Sequence, residues 1–561
     1  MTSSTVPASA KSASQRNEAF PQLTAGQLER LEPHGHRRKL AQGEVVGEPG
    51  QPVTKIFVVI SGQLDAFSQN TVQRSQDLAI SFAAGMFTGE RSILAGGRFL
   101  GRIAASVPTE VLEIERDELL TLMATDTELS DIFLRAFILR RLQLIDRELG
   151  DVVILGSNHC SGLLHIIEFL TRNGHPYRMV DLDTDAASQE LLDRFHLTAE
   201  DVPVVICRGS LVLKNPTVEK LADCLGLNPT LDATQVWDVV IIGAGPAGLG
   251  AAVYAASEGL NVLVIEANAP GGQAGTSSKI ENYLGFPLGI SGQELAGRAY
   301  DQAQKFGARI LIAKTAVRIN CDKKPYRVFL GDSESDILLT RAIIVASGVA
   351  YRKLALANLS QFENAGVYYA ATQMERRMCT DEEVAVVGGA NSAGQAAVFL
   401  AETARRVHML IRSDGLSNTM SRYLISRIDA HPHIVQHPRT EIVALEGNGH
   451  LERVAWRSGR TGPVETQSIR HVFTMTGAEP STKWLKGCLA LDAKGFVKTG
   501  PALGPDDLAG WPLRRQPYLL ETSLPGVLAV GDVRSGSTKR VASAVGEGSI
   551  AVATLHQVLA E

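Results

Sequence analysis

Two short glycine runs, each directly after an apolar strand and directly before a small-residue helix, restrict this chain more than any other feature. The first follows Trp237–Ile242, reads Gly243-Ala-Gly-Pro-Ala-Gly248 and opens an alanine-rich helix expected over 249–257. The second, Val386-Val-Gly-Gly-Ala-Asn-Ser-Ala393, ends a strand that starts at Val384. A glycine turn alone says little. In this frame the glycines let the turn close and let the backbone approach a pyrophosphate at the positive end of the helix. Gly243, Gly245, Pro246, Ala247 and Gly248 are therefore candidate ligands of one dinucleotide. Glu266, which ends the next strand, stands where a ribose hydroxyl would be met. Gly388, Gly389, Ala390, Asn391, Ser392 and Ala393 are candidates for a second dinucleotide, with Ala390 where the middle glycine is usual. The strand after it, Val407–Ile411, ends in Arg412 rather than an acid. An arginine there pairs with a 2′-phosphate, so NADPH is expected, with NADH as the alternative.

A third motif completes the first site. Thr522-Ser-Leu-Pro-Gly-Val-Leu-Ala-Val-Gly-Asp532 is an apolar strand delivering Gly531-Asp532. Such a carboxylate lies against a polyhydroxyl chain, for example the ribityl of FAD, and the glycine permits close contact. Together the three motifs describe a flavoprotein with two dinucleotide sites.

With 561 residues the chain needs several cores, at about one per 150 residues. The first twenty or so residues are rich in Ser, Ala and Thr and read, over 1–22, as a flexible tail. From 23 to 149, short alternating stretches punctuated by glycine suggest a small β-roll, followed by helical periodicity in Glu118–Met123 and Glu128–Leu149. From 150 to 230, strands at Val152–Leu155 and Tyr177–Leu182, a helix over Leu163–Asn173 and a strand at Asp201–Ile206 describe a compact α/β unit. A formal charge of −5 gives no electrostatic case for nucleic acid or an anionic membrane, and no apolar run of spanning length occurs. Small-molecule partners and a cytoplasmic location are expected. The six cysteines lie far apart in sequence, without redox-motif or zinc spacing, and are expected to be reduced thiols. No metal is expected, at the His431, His433 and His437 cluster or elsewhere.

Residues 235–561 resemble the low-molecular-weight thioredoxin reductase branch of the pyridine nucleotide–disulfide oxidoreductases. Pro270-Gly-Gly-Gln273, Ile280-Glu-Asn-Tyr283, Gly285-Phe-Pro287, Ala346-Ser-Gly348, Phe473-Thr-Met-Thr-Gly477 with Pro480, Gly531-Asp532 and Arg540-Val-Ala542 carry the likeness in order. It implies an FAD domain, 231–352 and 480–561, split around an NAD(P)H domain, 353–479, in a homodimer. By the same likeness Gly272, Gln273, Asn282, Gly531, Asp532, Arg540, Val541 and Ala542 would hold FAD, with Ser277 near the flavin ring. In the disulfide reductases of that family a Cys-x-x-Cys and a following acid sit on the NAD(P)H domain. Residues 366–373 here read Gly-Val-Tyr-Tyr-Ala-Ala-Thr-Gln, and the matching positions Ala370, Gln373 and Met374 carry neither a thiol nor a proton donor. Cys379, outside the motif, is expected to be structural.

Residues 23–149 are similar to the cyclic-nucleotide-binding domain through Ile60-Ser-Gly62 and Phe87-Thr-Gly-Glu90. The likeness implies Glu90 on the ribose and Arg98, one position early, on the phosphate of a cyclic nucleotide. Residues 150–228 resemble glutaredoxin or thioredoxin. Val202-Pro203 matches the cis-proline loop, Cys160 takes the slot of the first redox cysteine and Leu163 that of the second. The expected fold is multidomain: an all-β roll with helices, a small α/β thioredoxin-like unit, then two Rossmann-like dinucleotide-binding domains. The expected function is an NAD(P)H-dependent FAD oxidoreductase that passes electrons to a small redox acceptor or an electron-carrier protein rather than to an internal dithiol. The rivals are disulfide reduction through Cys160, and a nucleotide or redox sensor.

Overall fold

The computed structural model describes residues 17–561 except 71–74, 91, 96, 147–151, 157–160, 183–191, 194, 199–200, 208–210, 321, 332–335, 364, 418 and 460. Cys160 and most of the expected N-terminal tail lie outside the described residues. From His36 to Glu115 the strands form a three-stranded and a four-stranded antiparallel sheet. Phe57, Val59, Leu64, Phe82 and Val111 fill the space between them. Helices Arg116–Thr125 and Thr127–Asp146 follow. The second is fixed to the roll by Phe133 and Phe137, whose rings meet Phe87 edge-on at 4.5 and 5.9 Å, a preferred aromatic geometry.

The next unit runs β1 Val152–Gly156, α1 Ser161–Arg172, β2 Arg178–Asp181, β3 Val204–Cys207, β4 Leu211–Lys214 and α2 Val218–Leu225. Its sheet order is β4-β3-β1-β2, with β1 and β2 parallel and the other pairs antiparallel. The Val202–Pro203 peptide is cis, as the resemblance implied. The expectation of six reduced thiols is corrected here. β3 and α2 bring Cys207 and Cys224, distant in sequence, to a Cα separation of 6.8 Å as a disulfide. Cys488 is disulfide-bonded too, and among the described residues Cys379 is the free cysteine. Sequence spacing misses such a pair because a sheet and a helix close the loop, not a local motif.

Then come β5 Val236–Ile242, α3 Pro246–Ser257, β6 Val262–Glu266, α4 Gly292–Lys305, β7 Arg309–Ile312, β8 Ala316–Asn320, β9 Tyr326–Leu330 and β10 Ile337–Val345. α3 starts earlier than expected, because Pro246 suits the first helical position, where its missing N–H is not needed. An inserted domain follows: β11 Val367–Tyr368, α5 Gln373–Met378, β12 Glu383–Val387, α6 Asn391–Leu400, β13 Arg406–Ile411, β14 Ile434–Pro438 and β15 His471–Thr474. Its sheet is parallel, in the order β11-β15-β12-β13-β14. The chain then returns with β16 Val527–Ala529 and α7 Val541–Ala560. β16 joins β10 in the first sheet, whose order is β7-β6-β5-β10-β9-β8, with β5, β6, β7, β10 and β16 mutually parallel.

α1 carries Leu163, Ile166, Ile167 and Leu170 at the spacing that makes one apolar helix face. That face belongs to one continuous core with Leu249 of α3, Ile310 of β7 and Leu555 of α7. Each such side chain contributes about 1.5–3 kcal/mol when fully buried. The unit is thus built into the first dinucleotide domain. Asn228 reinforces the joint: its amide donates to the Ile312 carbonyl (3.0 Å) and accepts from the Ile312 N–H (2.7 Å), pairing with edge strand β7 as a neighbouring strand would.

Candidate functional site

The first glycine turn leaves bare backbone facing a cleft. A methyl group at Gly248 would stand 1.8 Å from the Gly243 carbonyl, and one at Gly243 would stand 2.3 Å from that of Ala346, so both must be glycine. At Gly245, the residue before α3, the nearest atom to such a methyl is the Gly272 Cα at 3.9 Å. Nothing there blocks a phosphate from the helix N-terminus. Glu266 ends β6 and is buried. Its carboxylate accepts from the backbone N–H groups of Ala244 (2.8 Å) and Asn268 (2.9 Å). Burial raises its pKa and those two bonds oppose the rise. Asp532, delivered by β16 and Gly531, is likewise raised by burial.

These groups line one cleft of about 850 Å³, within the size range of a ligand pocket. Clash-free bare backbone, a buried carboxylate at one end and a second carboxylate further along fit a dinucleotide such as FAD. Gln273, Ser277, Arg540 and Val541 line the same cleft, as the resemblance implied. Gln273 also donates to the Val349 carbonyl (2.7 Å). Two residues from that set are not among the lining: Ala542, and Asn282, which is exposed beside the solvent-facing Leu284 and Leu288.

The inserted domain closes over the cleft. Tyr369 stacks on Tyr351 at 6.0 Å and 13°, and Arg427 pairs with Glu281 at 3.2 Å. Of the second glycine motif, Ser392 reaches the cleft. Asn391 instead accepts from the Ser421 N–H (2.8 Å), and Arg412 is exposed at the end of β13.

Ala370 lines the cleft where the resemblance expected a cysteine. The three matching positions, Ala370, Gln373 and Met374, carry no proton donor, but the residue that follows them is acidic. Glu375, one residue beyond the matching position, is buried in α5, lines the cleft and accepts from both the backbone N–H (2.7 Å) and the hydroxyl of Thr372. Burial pushes its carboxyl upward against those bonds. Cys379 is fully buried, and burial beside Glu375 keeps its thiol protonated. The upstream unit is the other omission: His165, Glu168 and Arg172 of α1 line the cleft. Their spacing is a polar stripe opposite the apolar face, a helical signal present in the sequence.

The roll's expected ligands are each engaged by protein. Glu90 pairs with Arg141 at 3.3 Å, and Arg98 donates to the Gly50 carbonyl at 2.9 Å and lies against Gly226. Within the histidine cluster, His437 faces His408 at 3.0 Å, and His408 faces Glu383 at 3.1 Å. Among the described residues, no group of three metal-binding side chains occurs.

Residues 237–548 match the family described as pyridine nucleotide-disulphide oxidoreductase, and residues 37–126 match the cyclic nucleotide-binding domain. The thioredoxin reductase of Ureaplasma parvum serovar 3 is 31% identical over 318 residues, which is 56% of this chain and 95% of that protein. That of Mycolicibacterium smegmatis is 33% identical over 327 residues, 58% of this chain and 97% of the relative. Among solved structures, the Lactococcus lactis thioredoxin reductase in its FR conformation superposes with a TM-score of 0.51 at 26% identity, covering 58% of this chain and 99% of the other.

Proposed function

As the chain belongs to the pyridine nucleotide-disulphide oxidoreductases, we propose that it is an NADPH-dependent FAD oxidoreductase whose reduced flavin passes electrons to an external acceptor rather than to an internal dithiol. It is an FAD-dependent NAD(P)H oxidoreductase with a cyclic nucleotide-binding domain in front. When bound, the flavin supplies the exchange of a hydride for single electrons or an electron pair. The protein's own residues position and insulate. The Gly243–Gly248 turn and Glu266 orient one dinucleotide, Ser392 and Arg412 the other, and Tyr351 with Tyr369 cover the space between.

The observation that carries the choice of acceptor is the composition of the cleft: among the described residues, its lining from the inserted domain, which includes Tyr369, Ala370, Thr372 and Glu375, holds no cysteine. Anaerobic titration of the purified protein with NADPH tests it. One equivalent per FAD should complete the reduction. A second equivalent would demonstrate a reducible disulfide in series and overturn the reading. Disulfide reduction is favoured instead by the upstream unit, where Gly162 of α1, two residues after Cys160 in sequence, abuts the cis-Pro203. Cys160→Ser should leave NADPH oxidation unchanged with every acceptor; a loss with disulfide substrates favours that rival. For the roll, calorimetry with cAMP and cGMP decides whether it is a nucleotide sensor. Its expected ribose ligand, Glu90, is paired with Arg141 through one carboxylate oxygen.

A further inference from the structure

The residue that stands out in the cleft belongs to neither dinucleotide-binding domain. Arg172, the last residue of α1, donates from Nη2 to the Gly272 carbonyl at 3.0 Å and from Nη1 to Glu168 at 3.4 Å. Its Nε is buried and has no hydrogen-bond partner. The side chain lines the cleft, and a guanidinium carries five N–H donors, so its two bonds to protein leave donors for a ligand anion. Its position identifies which part of a ligand. Gly272 abuts Gly245, the residue that opens α3 at the first glycine turn. The guanidinium is close enough to act electrostatically on Glu266, at the ribose end, and on Tyr351, toward the flavin end. The stretch between those two groups is where a dinucleotide carries its diphosphate.

The anchoring around it is specific to this joint. Gln293 donates to the Thr171 carbonyl at 2.7 Å, and Asn173 donates to that of Asn268 at 3.2 Å. Three consecutive residues, 171–173, are therefore tied to the first turn of α4 and to the loops around Asn268 and Gly272, which frame the cleft. Planar guanidinium groups suit phosphate oxygens, and the N-terminus of α3 adds its own partial positive charge on the same side.

We propose that Arg172 is a ligand of the FAD diphosphate, so that the flavin site is completed by the upstream α/β unit. This rests on the FAD reading above. FAD retention then depends on the docking of that unit, and bound FAD in turn holds the unit in place.

The test uses the full chain stripped of flavin, with FAD affinity read by flavin fluorescence for the wild type, Arg172→Gln and Arg172→Lys. Arg172→Gln should raise the FAD Kd about tenfold or more, as expected for losing a charge-assisted contact, and Arg172→Lys should recover part of it. The melting temperature of the flavin-free protein should fall only slightly in both variants, through the lost bond to Gly272, while the upward shift on adding FAD shrinks clearly more than that. Equal Kd values in all three proteins overturn the assignment. So does an affinity loss in the Lys variant as large as in the Gln variant with a matching fall in flavin-free stability, the signature of a purely structural residue. A wild-type protein that binds no FAD would instead sink the flavin reading itself.

Discussion

Gly248 and Glu375 show what single positions impose here. Gly248 has no room for a methyl group, since the Gly243 carbonyl would be 1.8 Å away. Gly248→Ala should push α3 off the turn, losing flavin on purification and lowering the melting temperature by roughly 5–10 °C. Differential scanning calorimetry and the visible absorption spectrum check both. Glu375 predicts a pH dependence. Burial raises its folded-state pKa above that of the unfolded chain. Its contribution to stability is then fully present below the ordinary glutamate range, near about pH 4.3, and is lost as pH rises through the raised value. Melting curves from acid to mildly alkaline pH should fall less steeply for Glu375→Gln than for the wild type; parallel curves would remove the carboxyl from the account. The glycine was legible in the sequence because its demand is local, set by the turn itself. Glu375 was not, because it lies one place past the position that resemblance singles out, and burial, not spacing, makes it notable.

At the scale of elements, β13 and α1 make different demands. β13 delivers Arg412 into solvent beside the second glycine turn, where a 2′-phosphate can be met without displacing a partner. Arg412→Ala should raise the KM for NADPH about tenfold and leave that for NADH unchanged, as for one charge-assisted contact; steady-state rates with a dye acceptor measure it. Equal effects on both nucleotides would place the arginine elsewhere. Strands and helices in this half were readable from apolar runs and glycine punctuation, to within a few residues at each end. α1 was readable as a helix, with Leu163, Ile166 and Leu170 as its buried face. The purpose of its polar stripe, His165, Glu168 and Arg172, was hidden, since a stripe acquires meaning only from what the helix docks against. The Cys207–Cys224 pair was hidden for a similar reason.

For the whole molecule, the distribution of cores matters most. The upstream α/β unit shares its core with the first dinucleotide domain, whereas the roll keeps its own, around Phe87, Phe133 and Phe137 and between its sheets. The roll meets the rest through polar contacts such as Arg141 donating to the Gly174 carbonyl at 2.8 Å. Calorimetry of the full chain should therefore resolve the roll's transition from another in which flavin fluorescence appears as the upstream unit melts. A single transition for all units would contradict separate cores. Flavin release well before the melting of the upstream unit would contradict the shared one.

The cleft has one more consequence. Its walls come from the first dinucleotide domain, the inserted domain and α1 together, and they enclose about 850 Å³. FAD would fill most of such a space. Any oxidant that takes electrons from the flavin therefore meets side chains from three parts of the chain at once, Tyr351, Tyr369 and His165 among them. A change in how those parts pack would alter access to the flavin without touching a residue that binds it.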